Sequence, residues 1–151
     1  MTHPVDVPAS VLLPRVASEL KERKAVAPPP WAAFARTGVH TQRAPSQPDW
    51  WYLRSASVLR KISLQGTSGI ARLSSEYGGK RDRGSAPYHA RTASRSVLRE
   101  IVQQLEKSGL LQTQKNRGRK VSPEGQRLLD TTSRAVLKEL AEKRPELAKY
   151  L

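Results

Sequence analysis

The stretch SRSVLREIVQQLEKSGLLQTQKNRGRKVSPE, Ser94 to Glu124, decides how this chain folds. Val97, Ile101 and Leu105 recur at helical spacing, and Leu98 and Val102 widen the stripe, which predicts an amphipathic helix over Ser94–Lys107. Lys107 suits the negative end of that helix, and Gly109 supplies the left-handed residue that stops it. Leu110–Gln114 and Arg119–Ser122 flank Lys115-Asn-Arg-Gly118, whose Asn and Gly predict a β-hairpin. Ser122-Pro-Glu124 then opens another helix, with a hydroxyl cap, proline in the first position and an acid in the first turn. Leu128, Val136 and Leu140 give it an inward face, and it is expected to run to about Lys143 before Pro145 and a frayed turn over the last six residues.

Working outward, residues 11–24 read as an amphipathic helix through Leu13, Val16, Ala17 and Leu20, with Pro14 in its first turn or kinking it. The run Ala27-Pro-Pro-Pro-Trp31 is stiff and extended, residues 32–37 suit a short helical turn, and Val39–Pro48 suits a surface segment. Asp49 is placed to cap a helix over Trp50–Gln65, and a shorter helix, Ile70–Tyr77, lies between glycines. Gly78–Ala93 is rich in Gly, Arg and Ser and reads as a long basic loop. Helix, short helix, long amphipathic helix, basic hairpin, helix is the order of a winged helix. The expected fold is mainly α, a winged-helix-like helical domain with a projecting β-hairpin, formed by residues 1–151 as a single domain. Each apolar stripe is too narrow to stand alone, so the helices must share a core.

The chain has 151 residues and a formal net charge of +14, from 27 Lys and Arg against 13 Asp and Glu. Aromatic residues are 5% of it, so Leu, Val, Ile and Ala must build the core. Residues 36–95 hold a net +8 of that charge, with only Asp49, Glu76 and Asp82 to offset it. Self-repulsion of this size costs stability unless a polyanion neutralises it. Cysteine is absent, which excludes disulfides, thiolate metal sites and thiol nucleophiles and suits a reducing cytosol. Met1-Thr-His-Pro-Val-Asp6 offers neither a basic n-region nor an apolar h-region, and Ala25–Ala35, the longest uncharged stretch, is broken by Pro28, Pro29 and Pro30, so a soluble protein with no membrane partner is expected.

Catalysis finds no support. His3, His40 and His89 are far apart in sequence and no HExxH or Cys–His spacing exists, so no metal, cofactor or catalytic residue is assigned. Gly66-Thr-Ser-Gly69 lacks the Lys and hydroxyl residue of a phosphate loop, and Gly78-Gly79 precedes no helix.

Basic groups cluster instead. Arg54, Ser57 and Lys61 share one face of the Trp50–Gln65 helix with Arg60 to the side, and no acid lies on that helix. Lys80, Arg81 and Arg83 lie in the Gly-rich loop, which His89 and Arg91 extend toward Arg95 and Arg99; a hydrogen-bonded loop role for His89 stands equally open. Lys115, Arg117, Arg119 and Lys120 crowd the hairpin tip without an acid. Trp50-Trp-Tyr52 offers stacking surfaces for bases, although core packing is the expected fate of at least two of the three. A DNA-reading winged helix concentrates donors on its recognition helix. Here Arg95, Arg99, Gln103 and Gln104 are diluted by Glu100 and Glu106, and the cations spread over a helix, a loop and a hairpin, which suits a folded RNA read by shape. A winged-helix DNA-binding transcription regulator remains the alternative.

Several motifs in fixed order carry a family resemblance: Pro30-Trp31, Phe34-Ala-Arg-Thr-Gly-Val-His40, Asp49-Trp-Trp-Tyr-Leu-Arg-Ser-Ala-Ser57, Tyr77-Gly-Gly79, Pro87 with His89, Leu105-Glu106 with Gly109, and Gly118-Arg119 through Pro123-Glu-Gly125 to Asp130. Over about residues 5 to 142 the chain resembles small-subunit ribosomal protein family nineteen, the type shared by archaea and eukaryotes, in versions that look archaeal. The resemblance implies a helical, winged-helix-like fold, binding to ribosomal RNA in the head of the small subunit beside neighbouring head proteins, a monomer within the particle, a cytoplasmic (ribosomal) location and a part in subunit maturation. It assigns functional weight to Arg54, Arg60 and Arg99, and Arg36 lies inside its Arg-Thr-Gly motif. The chain departs from the family at Gln65–Gly69, where Gly-Pro-Val-Gly is more usual, and at Glu100, where many relatives carry a base. Reversing Arg54 and Arg60 to Glu is expected on this reading to weaken incorporation into subunits without unfolding the protein.

Overall fold

Ser122 accepts a hydrogen bond from the Gly125 backbone N–H at 3.0 Å and donates to the Gly109 carbonyl at 2.6 Å, so one hydroxyl fastens the last helix to the end of the one before it. A cap of this kind is worth about 1 kcal/mol. The computed structural model describes residues 3–144, 146 and 147. Its elements are α1 (Ala9–Glu22), a 3-10 turn (Pro30–Ala33), α2 (Trp50–Gln65), α3 (Ile70–Glu76), β1 (Gly79–Arg83), β2 (Ala86–Arg91), α4 (Arg95–Lys107), β3 (Leu111–Gln114), β4 (Gly118–Val121) and α5 (Pro123–Lys143). The protein is mainly helical with two antiparallel hairpins. Pro145 and most of the expected terminal turn lie outside the described residues.

α4 ends where Gly109 takes φ 77°, with Leu110 N–H on the Leu105 carbonyl and Gly109 N–H on the Glu106 carbonyl, both at 3.0 Å. This double bond to the last turn fixes the direction in which β3 leaves the helix. α1 ends with the same pattern on Lys24, at φ 51°, followed by Ala25 N–H on the Leu20 carbonyl at 3.1 Å. No glycine marks that stop, so the sequence places the helix two residues late at each end; Pro14 accordingly sits in the second turn and not the first. The expected turn over 32–37 forms earlier, at Pro30–Ala33. Asp49 makes no side-chain cap on α2; its carboxylate pairs with Lys21 of α1 at 3.0 Å.

One cluster of buried apolar side chains joins all five helices and the roots of β3 and β4. α1 lies between α2 and α5, and α4 packs on α2, α3 and β3. At the centre Trp51 is 0% exposed, edge-on to Trp31 at 5.6 Å and to Trp50 at 5.3 Å between centroids. Trp50 and Tyr52 pack against the same core, so the three aromatics serve the interior rather than a stacking surface. Gln104 uses its amide on Trp51 Nε1 at 3.1 Å and on both backbone groups of Ala27 at 3.1 and 2.8 Å. That side chain, grouped by sequence with possible base readers, is spent on holding the Ala27 segment along α4.

Gly78–Ala93 is not a loop. It is a ribbon of β1 and β2 joined by the two residues Gly84-Ser85, with Gly84 at φ 69° and Asp82 Oδ1 accepting from its N–H at 2.8 Å. Gly-Ser is a two-residue hairpin signal, but the strands beside it lack apolar alternation because the ribbon is exposed on both sides. Its root is crowded. A Cβ on Gly78 would meet the Arg91 carbonyl at 2.4 Å, and one on Gly38 or Gly79 would meet the His40 ring at 2.7 or 3.1 Å. The Gly38 and Gly78-Gly79 motifs, distant in sequence, therefore pack around one histidine.

Candidate nucleic-acid interface

Strand register sorts the ribbon's side chains. Arg81 pairs with His89 and Gly79 with Arg91, so Arg81, His89 and Arg91 lie on one face, and Lys80, opposite Ala90, lies on the other. Every ribbon residue except Gly79 and Ala86 is exposed. Lys80, Arg81, Arg83 and Arg91 form no ion pair among the described residues. At the ribbon's root, Arg36 and Arg95 line one shallow cleft of about 410 Å³ with Val39, Thr92 and Ser94. Arg36, Arg95 and the ribbon are thus contiguous, although the sequence separates them widely.

The second hairpin divides its cations differently. Thr113 pairs with Arg119 and Leu111 with Val121, and this face turns toward α4. Arg119 lies 3.7 Å from Glu106, which also accepts from Thr113. Backbone bonds of 3.0 Å in each direction join Arg119 to Ser68, in the turn between α2 and α3. Gly118, at φ 95°, permits this contact, since a Cβ there would lie 2.5 Å from the Ser68 carbonyl. Arg119 is therefore a structural cation, while Lys115, Arg117 and Lys120 are exposed and form no ion pair among the described residues. Arg99 stands exposed on α4 and forms no ion pair among the described residues.

The α2 group is the one the structure turns inward. The Arg54 guanidinium lies 4.5 Å above the Tyr77 ring, the Lys61 ammonium 4.2 Å from the same centroid, and the Tyr77 hydroxyl shares a 2.6 Å hydrogen bond with Ser57. Lys61 also pairs with Glu76 at 3.2 Å, and Arg60 donates to the Pro4 carbonyl at 3.3 Å. Burial lowers the pKa of the Arg54 guanidinium, with Tyr77 partly offsetting it, and burial raises that of the Tyr77 hydroxyl. The face on which α2 carries no acid of its own is thus answered by Tyr77 and Glu76 of the next element. Arg54→Ala is accordingly expected to destabilise the protein by about 1–2 kcal/mol, read from urea midpoints, because it removes a partly desolvated cation–π contact and its packing. Arg54→Glu would carry that loss as well, so reversal of Arg54 with Arg60 does not leave the fold untouched.

Glu76 gives this cluster a pH dependence. Burial pushes its carboxyl up, but hydrogen bonds from Gln65 and Lys61 and the charges of Lys61 and Arg72 outweigh it and hold the pKa below the ordinary 4.5. A folded value below the unfolded one adds stability above the unfolded pKa and loses it as pH falls through the folded value. Glu76→Gln is expected to be less stable than the parent at pH 7, and the two urea midpoints should converge as the pH falls below the ordinary carboxylate range.

One basic row escaped the sequence reading. Arg127, Arg134 and Lys138 are exposed at helical intervals on α5, opposite Leu129 and Val136. Interspersed acids on the same helix hid them, and the signal was their shared phase. Among the described residues, no group of three or more His, Cys, Asp or Glu is placed to hold a metal, and no helix is long and apolar enough to cross a membrane.

A family model described as Ribosomal protein S19e matches residues 4–139. The chain is 50% identical to the small ribosomal subunit protein eS19 of Aeropyrum pernix across 100% of both chains, and 48% identical to that of Thermoplasma volcanium across 96% of both. It is 41% identical to the eS19A protein of Schizosaccharomyces pombe over 91% of this chain and 95% of the relative. The motifs that meet at the ribbon's root and on the hairpin therefore have a common origin: the chain belongs to the Ribosomal protein S19e family.

Proposed function

We propose that this chain is a structural constituent of the small ribosomal subunit, that it binds ribosomal RNA in the subunit head beside other head proteins, and that it supports subunit maturation. It is a non-enzymatic member of the cytoplasmic ribosome, monomeric within the particle. The observation that carries RNA binding is the β1–β2 ribbon, whose Lys80, Arg81, Arg83 and Arg91 are exposed and lack acidic partners among the described residues. Arg36, Arg95 and His89 extend this surface, Arg99 adds to it from α4, and Lys115, Arg117 and Lys120 form a second arm. Arg54 and Lys61 pack on Tyr77, Arg60 on the Pro4 carbonyl and Arg119 beside Glu106, so these four reach RNA only through exposed edges.

The arrangement from α2 to β4 is winged-helix-like. Three helices precede the β3–β4 hairpin, and Ser68 bridges to Arg119 where the extra strand of such a fold lies. The whole chain works as one domain, supported by its single joined core. A DNA-binding regulator is not favoured, because the family is ribosomal and α4 exposes few cations. Gel-shift competition at fixed salt is the test. Small-subunit rRNA fragments should displace the protein from duplex DNA, and preference for a palindromic duplex would overturn the reading.

A further inference from the structure

Between Lys24 and Arg36 the chain runs from Ala25 to Ala35 without one polar side chain, in a protein of which 26% of residues are charged. Such a run belongs in a core, yet Ala27, Pro28, Pro30, Trp31, Ala33 and Phe34 are exposed, Phe34 by 87% and Trp31 by 41%. The segment is firmly held. Phe34 and Ala35 N–H both donate to the Trp31 carbonyl, at 3.2 and 3.1 Å, Trp31 stands on buried Trp51, and Gln104 grips Ala27. Three successive prolines leave little backbone freedom to lose on binding. A rigid apolar ledge with no partner of its own marks an interaction surface.

Charge identifies the partner. The surfaces suited to phosphate carry cations throughout, as the ribbon does, whereas this ledge carries none. The cations that flank it in sequence are Lys24 and Arg36, and neither has an acidic partner among the described residues. That distribution complements an apolar polypeptide with acidic margins and not a nucleic-acid backbone. We propose that the Ala27–Phe34 ledge docks a neighbouring protein of the small subunit through an apolar segment edged by Asp or Glu that meets Lys24. The inference rests on the reading of the chain as a subunit constituent.

Site-specific photo-crosslinking tests it. The full-length chain is made with p-benzoyl-phenylalanine at Phe34 or, separately, at Ala33, and small subunits that contain it are purified, irradiated and treated with RNase. The expected product is heavier by one polypeptide, is unchanged by RNase, and falls severalfold per incorporated chain when Lys24→Glu is introduced. A product that RNase returns to the mass of the chain alone would assign the ledge to base stacking and overturn the proposal. Absence of a product at both positions, in subunits that hold the chain, would overturn it too. Failure of the unlabelled chain to co-sediment with small subunits would overturn the functional reading itself, and this inference with it.

Discussion

Replacing Lys80, Arg81, Arg83 and Arg91 together with alanine is expected to remove most of the affinity for small-subunit rRNA while leaving the fold intact. The ribbon's side chains are exposed and its cations form no ion pair among the described residues, so their loss breaks nothing inside the protein. Substitutions at such positions change stability by no more than about 0.5 kcal/mol each. At roughly 1 kcal/mol per phosphate contact, four contacts amount to between two and three orders of magnitude in Kd. Electrostatics supplies a sharper signature. Each neutralised phosphate contributes about 0.7–0.9 to the slope of log K against log salt, so the variant's slope should be shallower by about 3. Filter-binding titrations over a salt series read both quantities, and a parental slope in the variant would remove the ribbon from the interface.

Trp51→Ala is expected to be the most damaging single substitution in the core. The ring is fully buried, two other tryptophans meet it edge-on, and its indole N–H is bonded to Gln104. Truncating a buried aromatic costs about 3–5 kcal/mol through lost transfer energy and the cavity left behind. The orphaned Gln104 amide adds to this, and the Ala27 segment that it holds loses an anchor. Domains of this size are stable by only about 5–15 kcal/mol, so a fall in Tm of roughly 10 °C or more is expected. Trp31→Ala, at a half-exposed position, should cost clearly less. Thermal melts of the two variants under one buffer make the comparison.

Most of the fold was legible because its signals are local. The α4 stripe, the Gly109 stop, the Asn116-containing turn and the Ser122-Pro123 start each need only a few neighbouring residues, and all four appear as expected. The β1–β2 hairpin was missed for the complementary reason. A ribbon solvated on both faces has no apolar period, and only Gly84-Ser85 announces it. Helix ends failed where the stopping residue was Lys24 instead of glycine.

The candidate interface was legible as charge but not as geometry. Exposed ribbon and tip cations follow directly from clusters that lack acids. Arg54 and Lys61 look equally free on a helical wheel, yet Tyr77 and Glu76 cover them from the next element. Arg119 is likewise answered by Glu106, which lies on the facing helix. Partners that arrive through tertiary contact cannot be read from spacing along one element, and each of these corrections is of that kind.

The most direct measurement is a density map of the small subunit containing this chain. The guanidinium groups of Arg81 and Arg91 should lie within hydrogen-bonding distance of rRNA phosphate oxygens in the subunit head. A ribbon projecting into solvent, with the chain attached only through other proteins, would contradict the account.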